Sequence, residues 1–493
     1  MSAVAPDISA FGYKQELKRS LSFFDLLAYG LVFIVPIAPI PVFGIVFNAS
    51  HGMVPLVYVI GLVAMIFTAL SYRAMSAAFP IAGSVFTYTA RTLGPTAGFF
   101  AGWAMLLDYL LLPTLTYVVT GIAMHAALPG TPGVLWVLIM LIGATITNYL
   151  GIETTARVNF ILLAFELVVL ALFAVLGGIA VMHHVGGAHV SMTPFYRSQE
   201  LTAPVIFGAL SLAVLSFLGF DAISTLSEES RDGARSVGRA TIWSLCLSAI
   251  LFIAQTWLAS LFLLDKTHLP PGDATNAVFY DIARLVGGYW FKFLLAAPCI
   301  ALSGVACAIP AQAAAARLLF GMARDGELPR WLAHVDSRRK VPERAVFLIA
   351  GLTLVLSIAM LDQLELLTSI VSFGALVGFI LLQISVVAHF VWREKSRDWL
   401  NHIVVPATGF AITAYVLVNV QTNARMVGIG WLLAGLVLYA SLRLLRRRVV
   451  PFPPPRSNSE AFSSPISLRS TGRKRAQYAR EGDDANSTLR GVR

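Results

Sequence analysis

The chain has 493 residues, of which 57% are hydrophobic and only 13% charged, with a formal net charge of +10; soluble domains carry roughly 25% charged residues. With a mean hydropathy of +0.76, this composition excludes a soluble globular domain and implies a polytopic membrane protein, since apolar runs of about 20 residues, enough to cross a bilayer, recur along nearly the whole length. No basic stripe interleaved with base-stacking aromatics occurs, so no nucleic acid partner is expected. No nucleophile elbow, Walker loop, zinc spacing or dinucleotide fingerprint occurs in a suitable context either, so neither enzymatic chemistry nor a cofactor is expected.

Residues 1–22 read as a short tail, in which Met1–Lys14 lacks the apolar core of a cleavable signal peptide. Twelve apolar runs follow, at 23–47, 53–72, 97–124, 133–150, 158–182, 203–227, 240–264, 289–316, 344–361, 366–391, 402–419 and 427–445. With both ends on the cytoplasmic side, the outer loops and flanks hold only Arg197, Lys266, Arg284, Lys292 and Arg425 among the 36 Lys and Arg, so the positive-inside rule gives the orientation. The net charge then reflects topology and anionic lipid. The cysteines Cys246, Cys299 and Cys307 lie within the runs without CxxC spacing and read as packing residues, and His183 and His184 read as a solvated loop pair, so no metal is expected. From Pro451 the chain becomes PFPPPRSNSE and then Ser/Arg/Gly-rich, which reads as a disordered basic tail over 449–493.

The first run contains VPIAPIPVFG (35–44), with Pro36, Pro39 and Pro41 inside six positions. No α-helix passes through such a stretch intact. In hydrocarbon a broken helix persists only where protein or a water-filled cavity satisfies the freed backbone groups. A second break is expected in the sixth run, AVLSFLGFDAISTLSEES, at Gly219, Phe220 and Asp221. Breaks five runs apart point to inverted five-helix repeats with a substrate site at the membrane midplane. The expected fold is therefore all-α, with about twelve transmembrane helices. It comprises a ten-helix core over 23–391 in an inverted five-plus-five repeat, whose first and sixth helices are broken, and two further helices over 392–448.

Several stretches resemble the amino acid–polyamine–organocation transporters, and within them the bacterial putrescine importers. They are FPIAGSVFTYTAR (79–91), GWAMLLDYLLLP (102–113), SFLGFDAISTLSEES (216–230), RLLFGMARDGELPRW (317–331) and VPERA (341–345). The resemblance covers roughly residues 14–448 and implies secondary active transport of a small amine or amino acid across a bacterial inner membrane by alternating access. Family permeases for amino acids usually have a glycine-rich first break whose amides hold the substrate carboxylate. VPIAPIP, with three nitrogens lacking hydrogens, is a poor anion cradle, which favours an amine. The chain departs from the putrescine importers at Pro41, where they carry an acidic residue, and an aspartate at 41 is expected to strengthen diamine binding. It also has Arg231 and Gly238 where the family usually has prolines.

Ionisable residues within spans are functional candidates by default. Asp108, midway through the third run, reads as an ammonium partner or as a carboxyl hydrogen-bonded between helices. Asp221 reads as a ligand or as a cap for the half-helix that follows. Around them, Pro36, Ile37, Ile40, Gly219 and Phe220 complete the expected substrate site, with Phe220 offering a ring face to a cation. The resemblance places Glu166 where proton-coupled relatives have a fifth-span lysine, making it the candidate for proton coupling, against a structural role. Glu228 and Glu229 match a pair common in the family and read as a cytoplasmic gate pairing with the arginines that follow. Ser303 alone is a thin basis for a sodium site, and proton symport is preferred. The sequence carries no signal for an oligomeric state.

Overall fold

The computed structural model describes residues 8–127, 130–270, 273–361, 363–420 and 422–447. The expectations for residues 1–7, for the 449–493 tail and for the side chains of Cys299 and Ser303 lie outside the described residues. Among the described residues all regular elements are helical, and the β pairing is an isolated parallel bridge between Leu21 and Ser230. Residues Met1–Leu442 form one compact unit, and a second begins at Arg443.

The chain enters the bundle at α1 (Phe23–Ile34), which starts on a capping box. Ser22 Oγ accepts from the Asp25 amide at 3.3 Å, and the Asp25 carboxylate accepts from the Ser22 amide at 2.8 Å. Two otherwise orphaned donors are thus satisfied reciprocally. After a break, α2 (Pro39–Ala49) continues at an angle of 53° to α1. Then come α3 (Val54–Ala78), the short α4 (Ser84–Leu93), α5 (Pro95–Ala127), α6 (Gly133–Leu150) and α7 (Ile152–Met182). The sixth span consists of α8 (Ala203–Ala213) and a 3-10 stretch, Phe220–Glu229, bent by 49°. It is followed by α9 (Ala234–Ser260), α10 (Asp273–Arg324), α11 (Glu343–Ala359), α12 (Leu364–Val387), α13 (Val405–Val418) and α14 (Thr422–Arg447).

Among the described residues, nine helices are long and apolar enough to cross a membrane, or eleven counting each bent pair as one span. The remaining expected span, 344–361, is α11, whose 17 residues are still about the length a bilayer needs. This is an all-α, multi-pass membrane protein. The eighth span begins beyond a break at Gly288 (φ 79°, ψ −173°), which divides α10.

Two features fix the last helices to the rest of the first unit. Helix α13 packs on α12 and α3. Helix α14 meets α5 through Trp431 and Trp103, whose rings stack at 4.5 Å and 11°. Each indole N–H donates to the other residue's carbonyl at 2.8 Å. Such stacked aromatic pairs add about 0.5–1.5 kcal/mol beyond area burial.

The segment before α1 is bound along its length. Ser20 and Leu21 amides donate to the Glu229 carbonyl at 3.1 and 3.0 Å, and the Arg231 amide donates to the Leu21 carbonyl at 2.9 Å. Burial, helped by the charge of Asp325, pushes the Tyr13 phenol up to about 12. At neutral pH it is therefore un-ionised and donates to Asp325 at 2.7 Å, while Arg91 donates to its oxygen at 2.7 Å and Arg324 lies 4.1 Å from its ring.

Candidate functional site

The first break is made at Val35 rather than at a proline alone. Val35 has φ +60°, a conformation that costs a β-branched residue about 1–3 kcal/mol and persists only where its surroundings hold it. Its amide still bonds the Leu31 carbonyl at 3.0 Å, and its carbonyl accepts from the Ala38 amide at 2.8 Å. Gln255 of α9 donates to the Pro36 carbonyl at 2.8 Å, and Cys307 of α10 lies 3.4 Å from the Phe33 carbonyl. Pro39 and Pro41 fall in the first turn of α2, where a missing N–H breaks no helical bond. The Ile40 amide is taken by the Ile37 carbonyl at 3.0 Å. The start of α2 is thus poor in free amides, as its composition implies.

Pro36, Ile37 and Ile40 are buried, whereas Pro41 is exposed on the same face of α2 as Ile45. The expectation that an aspartate at 41 would strengthen diamine binding is corrected on this ground. The α2 backbone turns position 41 away from the interior, because Ile40, Phe43 and Phe47 occupy the buried face.

At the second break Gly219 takes φ +118°, a left-handed conformation that glycine adopts without a Cβ penalty. A Cβ there would also sit 2.9 Å from Cγ of Phe33, so the two breaks touch through Phe33 and Gly219. The Gly219 amide donates to Asp221 Oδ1 at 3.3 Å, and the Tyr109 hydroxyl donates to Asp221 Oδ2. The Tyr109 ring lies 6.2 Å from that of Phe33. Tyr109 therefore ties the third span to both breaks. A tyrosine next to a mid-span aspartate was the signal for it in the sequence.

Asp108, one residue before Tyr109, is fully buried, and neither of its carboxylate oxygens has a hydrogen-bond partner among the described residues. Its backbone is pressed against α12, since a Cβ on Gly374 would sit 2.7 Å from the Ala104 oxygen and 2.9 Å from the Asp108 nitrogen. Buried carboxylates left as bare anions cost several kcal/mol each, and a cation beside them would offset that cost. Phe220 is buried too, but its ring packs on Phe379 at 5.8 Å and edge-on to Tyr72 at 6.1 Å, within an aromatic cluster.

Glu166 is buried on α7, a helix that packs against α1 and α10. Two turns earlier on the same helix, Asn159 is buried with neither amide atom bonded among the described residues. Sequence reasoning passed over Asn159, although a carboxamide in an apolar run is itself a polar signal.

Glu228 and Glu229 do not pair with the arginines that follow them, and that expectation is corrected. Glu228 accepts a two-pronged bond from Arg324, at 2.6 and 3.0 Å, and a bond from the Ala82 amide at 2.9 Å. Glu229 pairs with Arg317, whose Nη2 lies at 3.1 Å, and both members are almost fully buried. The reason is geometric. The chain bends at Ser230–Gly233 and starts α9, which carries Arg235 and Arg239 away, while Arg317 and Arg324, two turns apart on α10, run alongside the 3-10 stretch. The 79–91, 216–230 and 317–331 stretches are thus joined by Ala82, Glu228 and Arg324, by Glu229 and Arg317, and by Ser224 donating to Ser84 at 2.6 Å.

Comparison with known proteins gives a family model described as "Amino acid permease" that matches residues 21–442. The chain is 30% identical over 445 residues to the low-affinity putrescine importer PlaP of Escherichia coli (strain K12), covering 88% of this chain and 96% of that protein. It is 26% identical over 462 residues to the branched-chain amino acid permease BcaP of Bacillus subtilis (strain 168), covering 88% and 94%. It is also 26% identical over 464 residues to the methylthioribose transporter of the same strain, covering 88% and 95%.

Proposed function

The chain belongs to the amino acid permease family, and from that membership we propose that it imports a small organic amine, with putrescine the first substrate to test, by proton-coupled symport with alternating access. The observation that carries the amine reading is two buried carboxylates, Asp221 at the second break and Asp108 beside Tyr109, the residue that bonds Asp221, with no salt bridge to either among the described residues. The amide-poor start of α2 supports it, because a substrate carboxylate finds few donors there. The name of the Escherichia coli relative points the same way. The distribution of Lys and Arg supports a bacterial inner-membrane location with both termini cytoplasmic.

The Bacillus subtilis branched-chain permease supports a second reading, in which the substrate is an amino acid. A competition panel on labelled putrescine uptake into proteoliposomes separates the two. Under the amine reading, diamines compete and branched-chain amino acids do not. Inhibition by amino acids with none by diamines would establish the second reading, and specific binding without any saturable flux would make the protein a sensor.

In this proposal Glu166 links uptake to the proton gradient. A buried carboxyl on a helix beside α1 and α10 can exchange a proton as those helices move. Glu166→Gln, similar in volume and uncharged, is expected to abolish accumulation driven by a pH gradient while substrate binding persists. Full pH-driven accumulation by Glu166→Gln would remove Glu166 from the coupling role and leave it structural.

A further inference from the structure

Helices α3 and α9 cross beside the connection from α12 to α13, and between them lies a half-open cavity of about 400 Å3. Three arginines line it, Arg73 of α3 and Arg235 and Arg239 of α9. All three are exposed, and none forms a salt bridge among the described residues. Their convergence is built into the helix crossing. A Cβ on Gly238 would sit 2.8 Å from the Arg73 Cα, so the bare backbone at 238 lets the two helices meet between Arg235 and Arg239, which lie one turn apart. The carboxylate in the lining, Asp398, is taken up by Asn401, whose amide and side chain donate to it at 3.2 and 2.7 Å. Phe390 stacked flat on His402, 4.0 Å apart and within 3° of parallel, forms another part of the wall.

Three arginines lining one cavity, with the Arg239 guanidinium also 5.3 Å from the Phe23 ring, repel one another unless an anion joins them, and the planar fork of arginine suits phosphate oxygens. The surroundings favour a phosphate that carries acyl chains. One turn beyond Arg239 on α9 stands Trp243, 50% exposed, and Ile250, 57% exposed, follows seven residues later. Trp392 and Trp399, at 68% and 70% exposure, flank the connection, as tryptophans do at a membrane interface.

We propose that this cavity binds the phosphate-bearing headgroup of an anionic lipid, with Arg73, Arg235 and Arg239 on the phosphate and the acyl chains along the apolar faces of α3 and α9. Basic pockets between spans on the cytoplasmic side recognise such headgroups. The site is separate from the carboxylates at the breaks, and its test does not depend on transport.

The test is native mass spectrometry of the detergent-purified full chain with phosphatidylglycerol and phosphatidylcholine, repeated with inorganic phosphate and glycerol phosphate as soluble competitors. The expected result is at least about tenfold preferential retention of phosphatidylglycerol, lost in the Arg73→Gln, Arg235→Gln, Arg239→Gln triple variant and little changed by the soluble phosphates. Equal retention of phosphatidylglycerol by wild type and triple variant overturns the proposal. Displacement of the lipid by glycerol phosphate at matching concentration overturns the lipid assignment in favour of a soluble phosphate. Arg235→Gln alone, an exposed position, carries the same comparison at smaller amplitude if the triple variant does not fold.

Discussion

Asp108→Asn is expected to weaken putrescine binding roughly tenfold to a hundredfold and to abolish measurable uptake at low substrate concentration. A hydrogen bond to a charged partner contributes about 1.5–3 kcal/mol, and each 1.4 kcal/mol is about a factor of ten in affinity. Asparagine keeps the volume and removes only the charge. The stability of the variant gives an independent readout. Both Asp108 oxygens are buried without a partner among the described residues, so a neutral amide in place of an anion is expected to leave the thermal unfolding midpoint unchanged or raise it. Equilibrium binding of labelled putrescine to purified protein, beside a thermal scan, checks both parts. Wild-type affinity in Asp108→Asn would move the ammonium site to Asp221 alone. A lowered unfolding midpoint with normal binding would make Asp108 a structural carboxyl.

The largest stability effect is expected at Glu229. Its carboxylate pairs with Arg317, and both side chains are almost completely buried. Glu229→Ala leaves a guanidinium inside the protein with little but the Ala313 carbonyl, 3.1 Å away, to accept from it. Removing one member of a buried pair typically costs about 3–5 kcal/mol. The Glu229 carbonyl, which holds the Ser20 and Leu21 amides, is untouched by the substitution, so the loss is that of the pair. Glu229→Leu combined with Arg317→Met, which removes both charges, is expected to recover most of the stability. Thermal unfolding of the single and double variants in one detergent decides it. A double variant no more stable than Glu229→Ala would show that the pair contributes specific geometry rather than charge balance.

The membrane spans were legible in the sequence because hydropathy needs no partner: each apolar run meets lipid or another helix and becomes a span either way. The breaks were legible for a related reason, since prolines at 36–41 and Gly219 act locally. What Glu228 and Glu229 contact was not legible. Their partners lie 96 and 88 positions away, and the nearer arginines belong to a helix that leaves in another direction. Arg235 and Arg239 instead join Arg73 around the α3–α9 cavity, a grouping that appears only once the crossing at Gly238 is known. Position 41 failed for the opposite reason. Its sequence neighbourhood suggested the site, but a half-helix has an inner and an outer face, and Pro41 shares the outer one with Ile45.

The reciprocal clasp of Trp103 and Trp431 also sets an order of events during synthesis. Its two halves are 328 positions apart, so at about 5–20 residues per second the ribosome needs on the order of tens of seconds to supply the second indole after the first. Until then the Trp103 N–H has no Trp431 carbonyl to donate to and its ring has only Phe99 of its own helix, 5.9 Å away, stacked on it, so the third span can take its seat against α14 only after residue 431 has been made.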